Sequence, residues 1–182
     1  NTNAALSIAT GDYIALLDHD DILAPDALYE VVKWMNEHYK DETDVIYTDE
    51  DKVSFDLKDY FEPHFKSDYN LDLIRSNNYI CHFLVMDADL MKKLAFRPEC
   101  DGAQDYDLVL RAVSEVLAED GRSGEERILH IPRVLYHWRC HEDSTAENPE
   151  SKTYAFDAGR RAVQEHYNRT GIHAEVKNGE FL

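Results

Sequence analysis

Two short apolar runs that end abruptly in carboxylates constrain this chain more than any other feature of it. YIALLDHDD (13–21) and VIYTDED (45–51) each open with aliphatic and aromatic side chains and stop in a cluster of acids: Asp18, Asp20 and Asp21 in the first, Asp49, Glu50 and Asp51 in the second. Runs of that length and composition read as buried strands, and acids at their carboxyl ends lie where an open α/β sheet meets its ligand. Between them, Pro25 suits a helix first turn, and Leu28, Val31, Val32, Met35 and Tyr39 follow at helical spacing.

The alternation continues downstream. CHFLVM (81–86) reads as a strand and DADLMKKL (87–94) as a short helix, and Tyr106, Val109, Leu110, Val113, Val116 and Leu117 mark one face of a helix starting at Gln104. ILHI (128–131) and VLYHW (134–138) read as two short strands flanking Pro132, and residues 151–171 as a terminal helix stopped by Gly171. The polar, aromatic stretch 54–78 reads as a long functional loop with one short helix near Leu71–Arg75. Ala5, Leu6 and Ala9 have helical spacing before Gly11, so the chain is expected to begin inside an element, with a partner segment upstream. Strands alternating with helices predict an α/β layer fold, one domain over 1–182.

Charge and composition exclude several classes. With 19 basic against 37 acidic side chains, the net charge of −18 repels a nucleic-acid backbone, and an anionic ligand needs the help of a cation. No apolar run approaches the roughly 18 residues of a membrane span. Three cysteines (Cys81, Cys100, Cys140) without a CxxC pair predict a reducing compartment, and the protein is expected to be cytoplasmic, or peripheral at the inner membrane through parts of its parent outside this chain.

Three constellations carry chemistry. Asp18, Asp20 and Asp21 repel one another unless a divalent cation or N–H donors compensate them, so the segment is a metal site or a solvated acidic turn capping the next helix. An EF-hand is excluded, because Leu23 falls where its glycine is required. A phosphatase of the haloacid dehalogenase type shares the strand followed by Asp-x-Asp and stays open as an alternative. In DGAQDYDLVLR (101–111), Asp105 falls in the first turn of a helix, whose positive end holds it ionised, as a proton acceptor or simply as helix-start chemistry. HIPRVLYHWRCHEDSTA (130–146) brings His130, His137, Arg139 and His141; it lacks the Glu of HExxH, but an imidazole there can complete a metal site and Arg139 can hold a phosphate.

Taken together, ATGDYIALLDHDD (9–21), YTDEDK (47–52), NYICH (78–82), GAQDYDLVLR (102–111) and IPRVLYHWRCHEDSTA (131–146) resemble bacterial glycosyltransferase family 2, especially its rhamnosyl- or O-antigen-type branch, over about Asn3 to His173. The resemblance implies a GT-A, Rossmann-like α/β sandwich truncated at the N-terminus, this chain being the C-terminal two-thirds of the catalytic domain. It implies transfer of a sugar, with inversion, from a nucleotide-diphosphate sugar to a saccharide or lipid-linked saccharide acceptor in cell-surface polysaccharide synthesis. Asp18 and Asp20 match the family's Asp-x-Asp, Asp20 as the more direct ligand of Mn²⁺ or Mg²⁺ and Asp18 nearer the ribose. Asp105 matches the catalytic base, and His137 or His141 the histidine that joins the metal. Asp49, Asp51, Asn78 and His82 fall toward the acceptor side, and Gln104 stands where many relatives carry Glu. An absent N-terminal half predicts self-association through an exposed strand and weak nucleotide binding. A non-catalytic carbohydrate-binding or scaffolding module of a larger synthase is the other alternative.

Overall fold

The computed structural model describes residues 2–38, 43–119, 124–140 and 153–179. In chain order its elements are α1 (Thr2–Ile8), β1 (Tyr13–Ala15), β2 (Ile22–Leu23), α2 (Ala27–His38), β3 (Val45–Val53), β4 (Tyr60–His64), α3 (Leu71–Ile74), β5 (Leu84–Asp87), α4 (Ala88–Leu94), α5 (Gln104–Glu119), β6 (Ile128–Arg139) and α6 (Thr153–Arg169). The strands form one mixed sheet in the order β1-β5-β3-β6-β2, with β4 paired to β3 off that path. Its central pair, β3 with β6, is parallel, and the other pairings are antiparallel.

Alternation along β3 and β5 divides the core between two faces. Val45, Tyr47, Leu84 and Met86 pack with Leu108, Val109 and Val113 of α5 and with Ala158, Ala162 and Val163 of α6. Ile46, Phe83 and Val85 pack with Ala27 and Val31 of α2 and with Leu129, Ile131 and Tyr136 of β6. The α5 face expected from periodicity is buried, Leu117 only partly, and Leu108 and Ala112 are buried beside it, because sheet and helices enclose this helix on more than one side.

Four expectations change. On α2, Leu28 and Val32 are 63% and 56% exposed, whereas Ala27 and Val31 are buried and Trp34 and Met35 pack against the core; Tyr39 lies outside the described residues. The first acid-ended run is a strand only over Tyr13–Ala15; its acids occupy a turn, closed by Asp21 N–H to Asp18 O at 3.2 Å, and β2 follows. Within 54–78, Tyr60–His64 forms β4, a fully exposed outer strand, where Pro63 is tolerated. The two strands expected around Pro132 are one. β6 absorbs its extra residues in bulges: Thr48 faces Ile131, Asp49 faces Val134 and Glu50 faces Tyr136, so Pro132, Arg133 and Leu135 have no partner on β3. A bulge has no ladder hydrogen bond for proline to lose. No helix among the described residues is long and apolar enough to cross a membrane.

Candidate active site

The acidic turn between β1 and β2 has one inward member. Asp21 is 8% exposed, and its carboxylate accepts hydrogen bonds from the Tyr136 hydroxyl and from the Arg139 backbone N–H at 2.8 Å. Burial pushes its pKa up, and those two donors act against the shift. The same Tyr136 hydroxyl accepts from the Asp18 N–H at 3.4 Å. Asp21 is therefore the anchor of the turn; Asp18 is exposed outside it, and half-buried Asp20 pairs with His19 Nδ1 at 3.1 Å.

Tyr136 also carries the next side chain inward. The His82 ring stacks on it at 4.9 Å, with Trp138 at 5.8 Å. Glu50 accepts from the His82 backbone N–H, and its Oε2 lies 3.5 Å from the ring Nδ1. Behind Glu50 the Lys66 side chain is fully buried, its ammonium donating to Glu50 Oε2 at 3.3 Å, to Ile80 O at 3.2 Å and to His82 O. Burial opposes ionisation of Glu50, but His82 and Lys66 outweigh it and hold the carboxyl down at about 2. On His82 burial disfavours the proton, yet Glu50, then Asp105 and Asp18, raise its affinity.

Asp105 sits half-buried in the first turn of α5, where Asn78 Nδ2 donates to its Oδ2 at 2.9 Å. The buried Oδ1 of Asn78 has no hydrogen-bond partner. Both residues line a cavity of about 790 Å³, walled by Arg75, Tyr106, Phe156 and Tyr167. Gly102 enters the helix at φ +92°, with the Tyr154 ring 2.6 Å from where a Cβ would stand. Gln104, the neighbour of Asp105, is exposed.

Of the residues expected at the site, Asn78 and Asp105 meet at the first turn of α5, and Asp49, Asp51, His137 and Arg139 are committed to other partners. Asp49 is buried, accepts from the Lys66 backbone N–H at 2.8 Å and pairs with His130 Nε2 at 2.9 Å. Asp51 pairs with His137 Nδ1 at 2.5 Å, and Tyr60 stands edge-on to that imidazole. Successive residues of a strand point to opposite faces, so His137 turns away from the side that Tyr136 presents to His82. Arg139 gives its guanidinium to Phe55 O at 2.9 and 2.6 Å and lies over the Phe55 ring at 4.4 Å. His141 lies outside the described residues. Lys66 and Tyr136 were not singled out by sequence, and Asp21 and Glu50 only as members of the two acid clusters: a buried lysine in a polar aromatic stretch has no periodic signal, and only the alternation of VLYHW hinted at Tyr136.

Among the described residues no three His, Cys, Asp or Glu side chains converge as a ready-made metal cage. Asp18 and Asp20 nevertheless fit a hard divalent ion, because Mg²⁺ is commonly held by one or two carboxylates together with substrate phosphates.

Comparison with known proteins gives this fold and site their class. Residues 1–96 match the family model described as glycosyl transferase family 2, and the chain belongs to that family, which sets aside the phosphatase reading. It is 46% identical over 170 residues to an uncharacterized protein, y4gI, of Sinorhizobium fredii (strain NBRC 101917 / NGR234), covering 93% of this chain and 18% of that one. It is 36% identical over 177 residues to the O-antigen biosynthesis protein RfbC of Myxococcus xanthus, covering 96% of this chain and 13% of that one. The chain thus spans less than a fifth of the length of these relatives. Its fold matches S. aureus TarS in complex with UDP-GlcNAc (TM-score 0.57, 18% identity, 91% of this chain and 46% of that one). It also matches glucosyl-3-phosphoglycerate synthase of Mycobacterium tuberculosis in complex with phosphoglyceric acid (TM-score 0.50, 14% identity, 100% of this chain and 58% of that one).

Proposed function

We propose that this domain, within its parent protein, transfers a sugar from a nucleotide-diphosphate donor to a saccharide or lipid-linked saccharide acceptor, with inversion, in the synthesis of a cell-surface polysaccharide. The observation that carries the reading is Asp105 in the first turn of α5, held by the Asn78 amide at 2.9 Å, with both side chains lining a cavity of about 790 Å³. Family membership and the likeness to an O-antigen biosynthesis protein support it.

In this reading Asp105, oriented by the Asn78 amide, accepts the proton of the acceptor hydroxyl as that oxygen attacks the anomeric carbon. The nucleoside diphosphate leaves from the opposite face, toward the acidic turn. Asp18 and Asp20 would hold Mn²⁺ or Mg²⁺, whose chemistry is to neutralise the charge that develops on the leaving diphosphate. His82 is fixed beside them, its backbone N–H held by Glu50 and its ring stacked on Tyr136. Arg139 must leave Phe55 to reach a phosphate, and His137 must leave Asp51 to reach the metal. The setting is the cytoplasmic side of the membrane, where nucleotide sugars are made.

The test is Asp105→Asn in the intact parent, after a screen of nucleotide sugars for thermal stabilisation with and without Mn²⁺. Turnover is expected to fall by about 10² to 10⁴-fold with donor binding little changed. Undiminished turnover removes Asp105 from the role. Asp20→Ala should abolish metal-dependent donor binding, and unaltered Mn²⁺ dependence would refute its assignment.

A further inference from the structure

A second cavity, about 500 Å³, opens further along α5 and is lined by Arg75, Arg111, Ser114, His166, Arg169 and Thr170, among others. In a chain of net charge −18, this is where arginines gather. The cavity wall also carries one carboxylate, Glu115, which is paired with Lys93, and the acids nearby are engaged as well. Asp107 accepts from Arg97 Nε at 3.0 Å and from Arg111 Nε at 2.9 Å, and Glu165 pairs with Arg97 at 2.6 Å. Arg111 spends its terminal nitrogens on Leu94 O and Ala95 O, at 2.7 Å each.

Arg75 and Arg169 are left with donors to spare. Arg75 gives its Nε–H to His166 Nε2 at 3.1 Å, and its partner Asp72 stands 3.9 Å away with a side chain 98% exposed. Arg169 reaches the Leu110 carbonyl at 3.5 Å and forms no salt bridge among the described residues. Buried His166 is held at about 4, by burial and then by Arg75 and Arg169, so it is neutral and backs Arg75 as an acceptor.

We propose that this cavity binds a phosphate-bearing small molecule whose phosphoryl oxygens bridge the guanidinium groups of Arg75 and Arg169. Planar guanidinium groups suit tetrahedral oxyanions through paired N–H bonds, and two of them offset the long-range repulsion of an acidic chain. The volume lies within the roughly 300 to 1,000 Å³ of small-molecule sites and exceeds what bare phosphate fills, so a sugar phosphate is the better match. The Ser114 and Thr170 hydroxyls in the wall already donate to Leu110 O at 2.7 Å and His166 O at 2.9 Å, so the anion is held by the guanidinium groups. Arg75 also lines the cavity that holds Asp105, so an occupant here would be sensed at the acceptor side.

Calorimetric titration of this chain with inorganic phosphate, glucose 6-phosphate and glucose tests the site. Millimolar or tighter binding of the phosphates and none of glucose is expected. Tighter binding of the hexose phosphate identifies a phosphorylated sugar as the occupant, and equal affinity identifies free phosphate. Arg169→Gln, an exposed position where folding is not at stake, should weaken binding about tenfold, while Lys58→Gln should leave it unchanged. By NMR the His166 ring should titrate at higher pH once the anion offsets the arginines. No binding of either phosphate, affinity untouched by Arg169→Gln, or a His166 titration indifferent to phosphate would each overturn the proposal.

Discussion

Replacing Lys66 with Met would test the physical basis of the site. The substitution keeps the length of a fully buried side chain but removes the ammonium that neutralises Glu50 and bonds the carbonyls of Ile80 and His82. Glu50 is held at about 2 against an ordinary 4.5, so at about 1.4 kcal/mol per tenfold change in proton affinity its ionised form contributes about 3 kcal/mol. Part of that comes from His82, but the variant also strands a buried carboxylate, and breaking such pairs costs about 3–5 kcal/mol. A loss of about 3 kcal/mol at neutral pH, or a fall in Tm of about 6–12 °C, is expected. The sign with pH follows from the lowered carboxyl: its contribution is complete above about 4.5 and disappears as pH falls to about 2. Urea melts at pH 7 and pH 3 should therefore show the gap between wild type and variant narrowing in acid. Adding Glu50→Gln should recover part of the loss, because no charge is then left unpaired. A variant within about 1 kcal/mol of wild type at pH 7, or a double variant whose losses simply add, would refute the reasoning.

Tyr136→Phe removes the hydroxyl that Asp21 and Asp18 share, and should cost about 1–3 kcal/mol by denaturant melts; a smaller loss would show that Arg139 alone anchors the turn. His166 titrates at about 4 when folded and near 6.5 unfolded, so the unfolded chain binds the extra proton and stability should fall from pH 6.5 to 4. That slope should flatten in His166→Gln, and an unchanged slope would contradict the burial of a neutral ring. β1 is an edge strand paired on one side to β5, and we propose that copies of this chain associate through its other side; a monomer by light scattering would count against this.

Periodicity made the helices legible: α5 and α6 carry long apolar repeats that tertiary packing had no reason to override. It failed on α2, where two of the expected face residues are exposed, and on β4, whose pattern of exposed residues carries no alternation to detect. Pro132 misled for a definite reason, since proline forbids a regular ladder but not a bulge. At the site, Asn78, His82 and Asp105 were legible as candidates from motif blocks of the family resemblance, and the structure joins Asn78 to Asp105 by a hydrogen bond. The pairing of Glu50 with Lys66 was not legible, because a buried ion pair between β3 and a distant loop leaves no trace in local spacing. The resemblance offered His137 or His141 for the metal, and the pleat of β6 turns His137 to Asp51.

The unpaired residues of β6 make its length a switch of orientation. Three of them is an odd number, so the parity of the strand inverts as it passes β3: even-numbered His130 meets odd-numbered Tyr47 before the break, and odd meets odd at His137 and Asp51 after it. One strand thereby floors the apolar interior with Leu129 and Ile131 and then offers Tyr136 and Trp138 to the site on the same side. Deleting a single residue there would rotate the downstream half by one pleat, exchanging Tyr136 for a neighbour while leaving the upstream core intact. Paired insertions would preserve the arrangement, so this segment should tolerate changes of length by twos far better than by ones.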